Sequence, residues 1–73
     1  MNLAEATDLI LAEYTKAEVA FSPIKSTHEG YAIIKEELDE LWEDIKANRH
    51  TRTLEGEAKQ IGAMALRFLV DCC

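Results

Sequence analysis

The chain has 73 residues, eight Lys and Arg against fourteen Asp and Glu, a formal net charge of −6 and an apolar content of 48%. That length sustains one domain, 1–73, and so small a core calls for support from a metal, a cross-link or partner chains. The acidic balance speaks against nucleic-acid polymers and anionic lipid surfaces, which need a basic footprint, but not against a nucleotide carrying its own metal ion.

Asn2 followed by Glu5 has capping-box spacing and predicts a helix start. Leu3, Ala6, Ile10, Tyr14, Ala17 and Phe21 then form a stripe at helical spacing. Leu9, Leu11, Ala12, Val19 and Ala20 broaden it, so this helix is expected to touch more than its two sisters. Ser22-Pro23 ends it, because the residue before proline avoids the helical region.

Ser26 and Glu29 repeat the capping-box spacing ahead of a second helix, expected to run to about Ala47 with Asn48 as a left-handed stop. Its stripe is Tyr31, Ile34, Leu38, Leu41 and Ile45. Glu37, Glu40 and Asp44 lie along one flank of that stripe; at roughly 100° per residue Glu37 and Asp44 fall within about 20° of each other. Lys46, Arg49, His50 and Arg52 make the only basic island, either cations favouring a helix C-terminus or a phosphate-contacting loop.

Thr51 or Thr53 is the expected cap of a third helix reaching about Asp71. Leu54, Ile61, Met64, Phe68 and Cys72 define its stripe, with Glu57 projecting into it. An ionised carboxylate there needs water or a positive partner. Ala58, Gly62 and Ala65 form a small-residue face suited to close helix approach. Cys72 and Cys73, adjacent in sequence, pair badly with each other and imply a reducing compartment. No apolar run nears the roughly 18 residues of a membrane span and no leader pattern opens the chain, so a cytoplasmic protein without a membrane partner is expected. The fold expected is all-α: an antiparallel helical hairpin or three-helix unit that completes a helical bundle by oligomerisation.

Glu37 and Glu40 on the second helix, with Glu57 and Gln60 on the third, offer oxygen ligands alone, which suits magnesium or manganese. A di-iron bundle wants Glu-x-x-His, and neither His28 nor His50 has that spacing. A spare carboxylate, Glu36 or Asp44, could take a proton from an attacking water. Tyr14, Tyr31 and Phe21 are expected in the core, Met64 and Phe68 likewise, Trp42 on a partner surface and His28 exposed.

The phrase HEGYAIIKEELDELWEDI, followed after a gap by EAKQIGAMALRFLVD, resembles the MazG-type all-α nucleoside triphosphate pyrophosphohydrolases, from about Phe21 onward. The family's Glu-Glu-x-x-Glu helix is intact here as Glu36, Glu37 and Glu40. Its later Glu-x-x-Asp reads Glu57-Ala58-Lys59-Gln60, with glutamine in place of aspartate. The resemblance implies hydrolysis of a (d)NTP to its monophosphate and pyrophosphate, a house-cleaning theme, and a homodimer or homotetramer. It also implies Glu37, Glu40 and Glu57 as magnesium ligands, with Glu36 in a supporting catalytic place and Gln60 as a neutral ligand. The alternative from another class is a catalytically weak helical oligomer that binds nucleotides or proteins; a third is an acidic helical regulator without metal.

Overall fold

The computed structural model describes Met1–Cys73 as three helices without strands: α1 (Leu3–Ala20), α2 (Thr27–Lys46) and α3 (Thr51–Cys72). Each start has a side-chain cap. Asn2 and Glu5 form the full capping box, with Asn2 Oδ1 accepting from the Glu5 N–H at 2.8 Å. Ser26 Oγ accepts from the Glu29 N–H, while Glu29 turns back one residue further, to the Lys25 N–H. The third cap differs from expectation. His50, not Thr51 or Thr53, holds it, with Nδ1 accepting from the Arg52 N–H at 3.1 Å. Imidazole is an uncommon cap, but its neutral nitrogen accepts as a Ser or Asp oxygen does. Asn48, with φ 55°, supplies the left-handed stop after α2.

Helix α3 is the spine. α1 and α2 each pack on it, and they do not pack on one another. The core is accordingly narrow: Ala17 from α1 with Ala63 and Met64 from α3, flanked by Tyr14, Ile33 and Ile34. Two glycines let the helices close. A methyl group at Gly62 would lie 2.7 Å from Ile10 Cδ1 of α1, and one at Gly30 of α2 would lie 2.5 Å from Phe68 Cδ2 of α3. Of the small-residue face on α3, only Gly62 serves this approach; Ala58 and Ala65 are exposed. The connection from α1 to α2 is tied to the far end of α3: Arg67 Nη2 donates to the Ser22 carbonyl at 2.7 Å, and Asp71 accepts from the Ile24 N–H at 2.9 Å.

Having one partner each, α1 and α2 leave much of their stripes in water. The α3 stripe is covered throughout, whereas Leu3, Leu38 and Ile45 are exposed. Tyr31 and Phe21, expected in the core, are each 64% exposed; Tyr14 packs as expected. Trp42 is exposed, as is His28. In α2 the covered side is rotated toward Ile33, Glu37, Leu41 and Asp44, which turns the carboxylate flank inward against α3. No helix is long and apolar enough to cross a membrane, and both cysteines are free.

The glycines give a paired test by urea unfolding. Gly30→Ala drives a methyl into the Phe68 ring and is expected to destabilise by about 1–3 kcal/mol. Gly56→Ala meets nothing within 4 Å and is expected to stabilise by about 0.5–1 kcal/mol through helix propensity.

Candidate metal centre

Because α1 and α2 stand apart on α3, an open cleft of about 1150 Å³ runs between them. Glu36, Glu37 and Glu40 enter it from α2, Glu57 and Gln60 from α3, and Glu13 from α1. Helical spacing puts Glu37 and Glu40 one turn apart on the inward flank of α2. Glu57, in the second turn of α3, meets them across the interface. One carboxylate oxygen from each of Glu37, Glu40 and Glu57 lies within 4.8 Å of the others. Glu36 stands exposed at the rim, and Asp44 lies beside Glu57 on the outer side of the cluster.

Crowding of like charges sets the protonation of this group. The Glu57 carboxyl is pushed up to about 7, first by burial, then by Glu40 and Asp44, both within hydrogen-bonding reach. Glu37 is raised as well, by burial and by Glu40, Glu36 and, from α1, Glu13. No Lys or Arg pairs with Glu37, Glu40 or Glu57 themselves. Every Lys or Arg ion pair goes elsewhere: Lys16 and Lys59 to Glu13, Lys35 to Asp39, Lys46 to Glu43, Arg49 to Asp44 and Arg67 to Glu18. The basic island after α2 stays out of the cleft. Arg49 turns back to Asp44, and Lys46 sits over the Trp42 ring 5.5 Å from its centroid.

The donor set fits a small hard cation. Magnesium takes oxygen ligands at about 2.0–2.1 Å, so opposite ligands lie about 4.2 Å apart. Adjacent ligands lie about 2.9 Å apart, so oxygens within 4.8 Å of one another reach octahedral spacing by side-chain rotation, without moving either helix.

Gln60 occupies the same cleft with its amide nitrogen donating to Glu13. Glu13 is buried at 8% exposure and is the cleft residue that sequence reasoning missed. A signal existed: Glu13 sits three residues after Ile10 and four before Ala17, inside the α1 stripe, as Glu57 sits inside that of α3. Lys16, Lys59 and Arg67, also in the cleft lining, carried no comparable mark. No protein-family model matches the chain, and no match was found among curated proteins or solved structures.

A carboxyl that holds its proton more tightly in the folded protein than in the unfolded chain favours folding while protonated. For Glu57 that contribution is full below the ordinary value of 4.5 and is lost as pH rises through about 7. In chelator-treated protein the melting temperature should therefore fall between about pH 5 and pH 8, and Glu57→Gln should flatten that fall. Magnesium or manganese competes with the proton, so its thermal shift should be larger at pH 8 than at pH 5.5; calorimetric melts at the two pH values check both.

Proposed function

We propose that the chain is a magnesium-dependent nucleoside triphosphate pyrophosphohydrolase, converting a (d)NTP and water to the (d)NMP and pyrophosphate. The observation that carries this reading is the convergence of Glu37, Glu40 and Glu57 from two helices with no Lys or Arg to neutralise them. The resemblance of the Glu36-Glu37-x-x-Glu40 helix and the segment from Glu57 to the MazG-type enzymes supports the substrate class. Glu37, Glu40 and Glu57 would hold the cation, with the Gln60 amide oxygen as a neutral fourth donor. Bound there, magnesium supplies charge neutralisation along the phosphate chain and a more acidic water. Glu36 or Asp44, at the margins of the trio, accepts the proton that the attacking water loses. Met64, Ala17 and Ile33 give the cleft an apolar floor for the nucleoside.

The same reading makes the working unit a homodimer or homotetramer. No large side chain is fully buried, while Leu3, Leu11, Val19, Tyr31, Leu38 and Trp42 are exposed; that much apolar surface favours association with further copies. A sedimentation mass at least twice 8.2 kDa is expected.

A second reading has its own support. Gln60 brings no charge, and the exposed apolar side chains suit a nucleotide-binding or protein-interaction module with little catalysis. A panel of NTPs and dNTPs assayed for pyrophosphate with magnesium separates the two. The enzyme is expected to release pyrophosphate from at least one nucleotide, and Glu37→Ala/Glu40→Ala to lose about a hundredfold or more. Release no greater than that of the double variant from any nucleotide leaves the binding module standing.

A further inference from the structure

Glu13 is a buried carboxylate outside the metal-binding trio, and its two oxygens have separate partners. Oε2 is bracketed by the ammonium groups of Lys16 at 3.4 Å and Lys59 at 3.6 Å. Oε1 accepts from the Gln60 amide. Two ammonium groups on Oε2 and one amide N–H on Oε1 aim the side chain, and every partner it has is a donor to it. Of the two nearly isosteric ends of the Gln60 amide, only the nitrogen can face it. The carbonyl oxygen is then left to the rest of the cleft. Glu57 stands one turn earlier on the same face of α3, and Glu37 close enough to feel the Glu13 charge.

We propose that Glu13 is a positioning residue for the metal centre: by fixing the Gln60 amide from α1, it presents the Gln60 oxygen as a neutral ligand beside Glu37, Glu40 and Glu57. This rests on the metal centre proposed above. It also accounts for the residue type at position 60. An aspartate there would set a second carboxylate against a buried one and leave Glu13 Oε1 without a donor, whereas glutamine satisfies Glu13 with one end and faces the cleft with the other. The site thus draws on all three helices, and α1 takes part in the chemistry without touching the ion.

Manganese binding to the full chain, followed by electron paramagnetic resonance and calorimetry without nucleotide, tests the lock independently of turnover. Glu13→Met removes the acceptor and is expected to weaken manganese binding about tenfold, the scale of losing a group that orients a ligand. Glu13→Gln would turn its carbonyl toward Lys16 and Lys59 and its amide nitrogen toward Gln60, so it no longer selects the Gln60 nitrogen and is expected to weaken binding about as much as Glu13→Met. Gln60→Ala should match Glu13→Met, and the double variant should be no weaker than either alone, because both act through one ligand. Circular dichroism melts establish that each variant is folded; if Glu13→Met is not, Gln60→Ala and Glu13→Gln carry the comparison. Glu13→Gln binding manganese as tightly as the natural chain would mean that the orientation of the Gln60 amide is immaterial, and would overturn the lock. So would unchanged affinity in Gln60→Ala or additive losses in the double variant, with the metal centre left standing. Absence of any manganese binding that Glu37→Ala/Glu40→Ala abolishes would overturn the centre and the lock together.

Discussion

Close approach to α3 from two sides is the constraint on which the molecule depends. Gly62 admits Ile10 of α1, and on another face Phe68 enters the space that Gly30 of α2 leaves open. Three helices joined by only two interfaces leave a gap where a more compact bundle would have a third contact. The cleft is that gap. Its depth follows from the small core at Ala17, Ala63 and Met64, and its length from α1 and α2 running along the same stretch of α3. The same arrangement leaves the outer faces of α1 and α2 rich in apolar side chains, the surface that the proposed association with further copies would use.

Electrostatics then decides what the gap can hold. Two carboxylates about 4 Å apart repel by about 4 kcal/mol at the effective dielectric typical near a protein surface. Glu37, Glu40 and Glu57 are that close, and the molecule spreads its cations over Glu13, Glu18 and the outer acids of α2. Without an ion, the relief at hand is a proton, and the Glu57 carboxyl, raised to about 7 by burial, Glu40 and Asp44, is the group that holds it toward neutrality. At the proposed metal centre, proton and cation would therefore compete for one place. A group that holds its proton near neutrality is also easily exchanged for a divalent ion in that range.

The helices were legible because their signals are local. Capping pairs at Asn2 and Ser26, the proline after Ser22 and the asparagine after α2 are settled by neighbours a few residues away. Two stripes and a short turn put Glu37 and Glu40 on one helix and Glu57 on its antiparallel neighbour, but whether they met depended on the bend, which periodicity does not give. Nor could it give how many partners each stripe would find. Tyr31, Leu38 and Ile45 lie on a sound helical stripe, yet α2 has one neighbour, and that neighbour covers the flank bearing Glu37 and Asp44. Phe21 fell on the α1 stripe, but the helix ends before it and its ring stands out beside Arg67. Glu13 was missed for a related reason: its meaning depends on Gln60, forty-seven residues away.

Arg67 shows how the α1 side of the cleft is kept in place. At 3% exposure it is nearly enclosed. Its guanidinium donates to the Ser22 carbonyl and lies near Glu18 and the Phe21 ring. A buried cation is costly without such partners, so the end of α1 and the turn after it are held where they satisfy Arg67. One turn later, Asp71 captures the Ile24 N–H and secures the start of the approach to α2. These two contacts tie the turn between α1 and α2 to the last turns of α3. Nearer the acids, the Glu13–Gln60 contact ties α1 to α3. Helix α1 is thereby held near its C-terminus by a structural arginine and at mid-length by a carboxylate that lines the cleft.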